Sequence, residues 1–395
     1  MATLSENITQ AIADFDSIRT KFEEKGVEIP INTPTSQYAS KMDALSGNEE
    51  WKPNSTWWKI YNILINDTSG NRKKYMLLIT DSNASTTFTA VNAIGFKTSD
   101  GATYSGATFN HTWDTAQDKQ CVEDSVNTYK TRWIMVYYSN TLSDTTEITL
   151  QIPEETLYMV IDTIQFTKTN FSSKRLLQSF DFINGSNIKT TVNNGMFQNC
   201  SSLERIPLLD FSNNTNANAM FSGCSALREI PLLDFSNTTN IGSMFYSCSA
   251  LRTIPLLDFN KVTSASGVFN GCSSLEKIPL LDFSNVTNVG ILFSSCSALR
   301  TIPLLDFNKV ATIGTIFTNC YSLVSINIQN LNNNATISTT SYGTFINRTS
   351  LLNILNGLTD RTGLSSLTLT LGATNLDKLT STEKLIATNK NWILN

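Results

Sequence analysis

The residues of this chain that could do chemistry fall into three sets. His111 is the only histidine, and it lies in Thr108-Phe-Asn-His-Thr-Trp113, a polar, turn-like stretch. No nucleophile motif stands beside it, and one isolated imidazole makes a poor metal site. The second set is cysteine. Cys121 stands alone, whereas Cys200, Cys224, Cys248, Cys272, Cys296 and Cys320 are each 24 residues from the next. A disulfide framework would show uneven spacing. An even ladder points instead to one small buried position used once per repeat, filled by free thiols acting as small hydrophobes. The metal reading has no CxxC pair or clustered His behind it. The third set is aromatic. Trp57, Trp58 and Trp113, with Trp133, could stack on sugars, although tryptophans in a β domain more often fill its core. A P-loop, a dinucleotide glycine fingerprint, a zinc-protease helix and an EF-hand loop are all missing. The expectation is a chain that is not an enzyme and needs no cofactor or metal. Two carboxylates brought together by folding to cleave a glycan are the remaining catalytic alternative.

The repeat that spaces the cysteines decides the fold. Aligned on Phe197, Phe221, Phe245, Phe269, Phe293 and Phe317, six copies of a 24-residue unit read F-x-x-C-x-x-L-x-x-I, and five continue P-L-L-D-F. Their prolines are Pro207, Pro231, Pro255, Pro279 and Pro303. A coil of this length cannot bury its apolar side alone, but stacked coils bury it continuously. The proline column removes a backbone donor from any parallel sheet, so the sequence leaves open which of Leu208 and Leu209 points inward. The Asp column (Asp210, Asp234, Asp258, Asp282, Asp306) reads as turn capping, with calcium as the functional alternative. Before each Ile stand the charged residues Glu204-Arg205, Arg228-Glu229, Arg252, Glu276-Lys277 and Arg300. Cross-strand pairing accounts for their pattern. Arg205, Arg228, Arg252, Lys277 and Arg300 are also the candidate ligand-binding face.

These observations predict a multidomain, mainly β chain. Residues 1–47 form an N-terminal helical segment in which Leu4, Ile8, Ala11, Phe15, Ile18 and Phe22 make a short coiled-coil seam for oligomerisation or anchoring. Residues 48–165, rich in Trp, Tyr and Thr, form a sandwich-like β domain. Residues 166–345 form a β-solenoid. Residues 346–395 form a terminal cap, with a strand at Leu367–Leu371, a helix near Ser381–Ala387 and Trp392 packed back. With 41% apolar and 16% charged residues the chain is globular, and its net charge of −4 offers nucleic acid no electrostatic attraction. No apolar run of membrane-spanning length is present, so membrane insertion is not expected. The start, Met1-Ala2-Thr3-Leu4-Ser5-Glu6-Asn7, has neither a basic nor an apolar signal region, so a secretory signal is not expected either.

The unit Met244-Phe-Tyr-Ser-Cys-Ser-Ala-Leu-Arg-Thr-Ile254 resembles the BspA-like leucine-rich repeats, over about half the chain. That resemblance implies a curved solenoid used for adhesion and for binding protein or glycan. Leu4-Ser-Glu-Asn-Ile-Thr-Gln-Ala-Ile12, Gly26-Val-Glu-Ile-Pro30 and Tyr38-Ala-Ser-Lys-Met42 resemble the N-terminal segment of phage and prophage structural proteins, often tail-associated. Together they imply a virion protein of a tail or fibre, assembled in the host cytoplasm and exposed on the particle. Its expected partners are other virion proteins through the N-terminal segment, a host cell-surface protein or glycan, and further copies of itself, taken as a trimer. A virion decoration without a receptor and a bacterial surface adhesin are the alternatives.

Overall fold

A computed structural model of the chain describes residues 64, 67, 73–80, 85–113, 122–123, 130–142, 149–150, 152–162, 165–166, 168–169, 171–183, 187–188, 194–313, 316–331, 335–336 and 346–395. The coiled-coil seam from Leu4 to Phe22, Trp57, Trp58 and Cys121 lie outside them. The described part is mostly β, with few helices. None of its helices is long and apolar enough to cross a membrane.

The first body is a seven-stranded sheet. Its strands, numbered with their neighbours in chain order, are β1 (Lys74–Thr80), β2 (Ser85–Thr89), β3 (Ala93–Thr98), β4 (Thr103–Ser105), β5 (Thr108–Thr112), β6 (Val122–Glu123), β7 (Lys130–Tyr138), β8 (Thr156–Asp162) and β9 (Ser179–Ile183). The sheet order is β9-β8-β1-β7-β3-β4, with β6 pairing on β7, while β2 and β5 pair as a separate hairpin sheet. The arrangement is thus one large sheet with a small one packed on it through Phe88, Phe96 and Phe109, not a sandwich of two equal sheets. β1 and β7 are central, and successive side chains of a strand point to opposite faces. Tyr75, Leu77, Ile134 and Val136 join the main core, whereas Met76, Leu78, Trp133 and Met135 join a second, smaller core with Leu64. Both strands are therefore dense apolar runs rather than alternating ones.

The edge strand β9 pairs in parallel with β8. It belongs to a leading coil on which the repeats stack. The Phe171 N–H donates to the Met196 carbonyl (2.8 Å), and the Glu204 N–H donates to the Gln178 carbonyl (2.9 Å). The Phe171 and Phe197 rings lie 5.0 Å apart and 8° from parallel. One core then runs without interruption from Tyr75 through every repeat to Trp392. The β body thus covers the first coil's open end and shields the edge that a stack of coils must leave exposed.

Each repeat is bonded to the next along several backbone tracks, two of which frame the coil. On the side away from the strands, the N–H groups of Phe197, Phe221, Phe245, Phe269 and Phe293 donate to carbonyls of Met220, Met244, Val268, Leu292 and Ile316 at 2.8–3.0 Å. Two residues on, Asn199, Gly223, Ser247, Gly271 and Ser295 all have positive φ, from 57° to 80°, and donate to the following coil at 2.7–2.8 Å. That left-handed turn explains why the position holds only Gly, Asn or Ser. On the strand side, Arg228, Arg252, Glu276 and Arg300 donate to the carbonyls of the residues 24 before them, at 3.1–3.2 Å.

The prolines stop that second track from growing into a sheet. The only repeat-side ladder of five residue pairs among the described residues joins β10 (Thr301–Asp306) to β11 (Ser325–Gln329), and β11 belongs to the one coil with Asn327 in place of the proline. Its register slips between Ile302 and Leu304, where Pro303 adds a residue on one side only. β11 is covered in turn by helix α1 (Arg348–Asn356), which buries Leu351, Ile354 and Leu355. The cap continues with β12 (Leu367–Thr370), α2 (Ala373–Leu376), α3 (Ser381–Thr388) and β13 (Trp392–Leu394). Trp392 is 2% exposed and its indole N–H donates to the Thr359 carbonyl (2.9 Å).

Candidate recognition face

Inside each coil, the Phe, Cys, Leu and Ile columns are buried throughout, as are Leu209, Leu233, Leu257, Leu281 and Leu305. The second leucine of Pro-Leu-Leu therefore points inward. The first points out: Leu208, Leu256, Leu280 and Leu304 are 43%, 60%, 60% and 46% exposed, and Leu232 is half-buried. Between Ile206 and Leu209 two successive residues, Pro207 and Leu208, thus lie on the outer side, which a regular strand of period two would not allow.

The strand-side face that results has three columns. The charged pair of positions before each Ile comes first: Arg228, Arg252 and Arg300, two residues before it, and Lys277, one before it, are exposed, and Arg205, one before it, is half-buried. Arg228 and Glu204 approach to 4.0 Å with their side chains 69% and 50% exposed, so that pair stabilises the stack little. The Pro–Leu pairs form the middle column. The Asp column closes the face, and its geometry is that of turn capping: Asp210, Asp234, Asp258, Asp282 and Asp306 each accept, through Oδ1, the backbone N–H two residues on, at 2.9–3.1 Å.

The cysteine column has a more specific role than filling space. Each thiol donates to the carbonyl of a phenylalanine one coil back: Cys200 to Phe171, Cys224 to Phe197, Cys248 to Phe221, Cys272 to Phe245, Cys296 to Phe269 and Cys320 to Phe293, at 2.9–3.1 Å. Burial pushes Cys200, Cys272 and Cys320 up to about 12, and raises Cys224, Cys248 and Cys296 well above the ordinary thiol value. They remain neutral S–H donors, which suits neither a nucleophile nor a thiolate ligand. Among the described residues, no three His, Cys, Asp or Glu side chains gather as they would around a metal ion.

Of the third set, Trp113 is corrected by its surroundings. Trp113 is 6% exposed: its indole N–H donates to Thr86 Oγ1 (2.9 Å), the His111 ring meets it edge-on at 4.5 Å, and the Arg132 guanidinium lies 5.0 Å from its ring centre. It has no open ring face for a sugar. His111 is not isolated either. Its Nε2 lies 2.7 Å from Asp100 Oδ2 and its Nδ1 2.6 Å from the Tyr104 hydroxyl. The His111 and Asp100 side chains are only 6% and 7% exposed, so this His–Asp–Tyr group, assembled by the β3–β4 turn, β4 and β5, is a satisfied polar network inside the β body.

Comparison with known proteins places the repeat array, not the whole chain. Residues 164–278 and 239–353 match the family described as Mycoplasma protein of unknown function, DUF285. Of solved structures, the T. pallidum leucine-rich-repeat protein is similar at 18% identity over 52% of this chain and 90% of that one, with a TM-score of 0.34. No curated protein matches. The repeat array is similar to that family, and these matches carry no link to a phage particle.

Proposed function

We propose that this chain is a non-catalytic recognition protein whose repeats form a leucine-rich-repeat solenoid, with the strand-side face as its contact surface for a protein or glycan at a cell surface. The observation behind this is the face itself. One cation, one Pro–Leu pair and one Asp recur in five successive coils on a wall whose interior is already filled. A regular row of exposed apolar side chains contributes nothing to the fold that carries it, and contiguous exposed apolar surface marks interaction sites. In the phage form of this proposal the chain is a tail- or fibre-associated virion protein, displayed on the particle and anchored or oligomerised by residues 1–47. The resemblance of residues 4–12, 26–30 and 38–42 to phage structural proteins supports that form. A second form, a bacterial surface adhesin, is supported by the match to a family described from Mycoplasma.

Binding of the purified full chain to candidate host cells, compared with a Leu256→Asp/Leu280→Asp variant, tests the common part. Saturable binding lost in the variant is the expected result, and equal binding by both would remove the face from the function. Gold-labelled antibody on virions and on producing cells then separates the two forms.

A further inference from the structure

We infer that the cysteine column works as a one-way redox gate: the repeat array forms only from reduced chain, and once formed it is closed to oxidants. The inference goes beyond the contact role of the strand-side face, because it concerns how the chain reaches its place of action.

The first half rests on geometry. Cys224, Cys248, Cys272, Cys296 and Cys320 hold one position in successive coils, and each donates to the phenylalanine carbonyl 27 residues back at 3.0–3.1 Å. Equal bonds mean equal side-chain directions, so neighbouring thiols differ by little more than one step along the stack. The neighbouring phenylalanine column measures that step: from Phe197 to Phe317 its ring centres are 5.4–5.8 Å apart and within 3–7° of parallel. A disulfide needs Cβ atoms at roughly 3.5–4.5 Å and side chains turned towards each other. Parallel side chains a full step apart meet neither condition. Thiols two steps apart lie twice as far away, beyond the reach of any disulfide. A disulfide anywhere in the column would therefore remove two S–H donors and pull coils out of their spacing.

The chemistry is thiol–disulfide exchange. In the open chain a column thiolate attacks glutathione disulfide, forming a mixed disulfide and releasing one glutathione. A second column thiolate then displaces the other glutathione. The chain gives up two protons and two electrons, the electrons pass to the glutathione pair, and an intrachain disulfide remains. The open chain does not restrict which cysteines meet, and every product imposes a spacing that the stacked coils do not have.

The second half rests on burial. All six column residues are 0% exposed. Burial also holds them as neutral S–H groups, with Cys200, Cys272 and Cys320 raised to about 12. Exchange needs a thiolate and an approach for the reagent, and the folded array offers neither. At its first end the column is closed by the leading coil, where Cys200 donates to the Phe171 carbonyl (2.9 Å). The cap that follows Cys320 buries Ile346, Leu351 and Leu355. The route that fits is folding in a reducing interior followed by display, as in the virion form of the proposal above. An adhesin threaded unfolded into an oxidising space would meet the oxidant before its coils had closed.

Cell-free synthesis of the full chain carrying Cys121→Ser, in dithiothreitol or in glutathione disulfide, tests this. Synthesis in dithiothreitol is expected to give a protease-resistant array. Synthesis in glutathione disulfide is expected to give at least tenfold less resistant product, with disulfides among the column cysteines in the sensitive fraction. Resistant product moved into glutathione disulfide is expected to stay resistant and to yield six alkylatable thiols once unfolded. Equal resistance from the two syntheses overturns the gate, and so does sensitive product with all six thiols free. Loss of resistance, or of thiols, in the product moved after folding overturns its one-way character.

Discussion

The cysteine column makes a quantitative prediction about reactivity. At about pH 8 a thiol of ordinary value 9.0 is roughly a tenth ionised, whereas Cys272, pushed up to about 12 by burial, is ionised to about one part in ten thousand. Only the thiolate attacks a disulfide reagent, so ionisation alone slows Cys272 by about a thousandfold relative to the unfolded chain. Exclusion of the reagent from a fully buried site slows it further. The assay is the release of a chromophoric thiol from an aromatic disulfide reagent, native against guanidinium-unfolded, in a Cys121→Ser background so that only the column is read. The six thiols are expected to react only as fast as the chain opens. Native rates within tenfold of the unfolded ones would refute the account. The same shifts have a pH consequence. A thiol raised in the folded state stabilises it fully below the unfolded value and loses that contribution as pH climbs through the folded value. Stability to urea is therefore expected to hold up to about pH 8.5 and then fall through the window from 9 to about 12, by up to about 1.4 kcal/mol per pH unit for each thiol.

Other perturbations follow from single contacts. Phe269→Ala removes a fully buried ring stacked on Phe245 at 5.8 Å and Phe293 at 5.5 Å, and is expected to cost about 3–5 kcal/mol in chemical denaturation; a loss below about 1 kcal/mol would mean that the stack does not carry the fold. His111→Ala strips the Asp100 carboxylate and the Tyr104 hydroxyl of their ring partner inside the β body, so a loss of about 3 kcal/mol is expected. A neutral result in the same denaturation experiment would contradict a structural role. Thr380→Ala removes the reciprocal capping box with Glu383 at the start of α3, expected at about 1 kcal/mol and read as earlier amide exchange in Ser381–Thr388. Unchanged exchange there would show that the cap is redundant.

How much was legible beforehand depended on whether an interaction repeats. The Phe, Cys, Leu and Ile columns declare themselves through their period, and each lies in the core. The strand at Leu367, the helix at Ser381 and the packing of Trp392 were readable because the cap has ordinary local signals, including Thr380 and Glu383 three residues apart. The outward leucines were not, because the proline beside them breaks the alternation on which any assignment of inside and outside relies. The thiol donors were equally hidden: their acceptors are backbone carbonyls 27 residues back, or 29 for Cys200, in the preceding coil, with no side chain to mark them. His111 looked isolated because Asp100 and Tyr104 reach it only through the folding of β3, β4 and β5, and Trp113 looked available for the same reason.

The proline column finally accounts for why the exposed apolar stripe exists. A parallel sheet of six identical strands would have put its bonding on the strand side, with leucines alternating in and out. Proline denies that side a donor in five coils, so the coils are joined instead by the left-handed turns behind, by the bond before each Ile and by further bonds in the turns on either side, such as Ala250 N–H to the Ser225 carbonyl and Thr263 N–H to the Thr239 carbonyl. The strand-side backbone is thereby relieved of regular register, and the extra residue it accommodates throws Pro and Leu outward together. Where Asn327 replaces proline the ladder returns at once, the outward leucine disappears, and a helix covers the coil. The exposed apolar stripe and the missing sheet are thus one property of the repeat. Removing the prolines would both build the sheet and turn the stripe back into ordinary alternation.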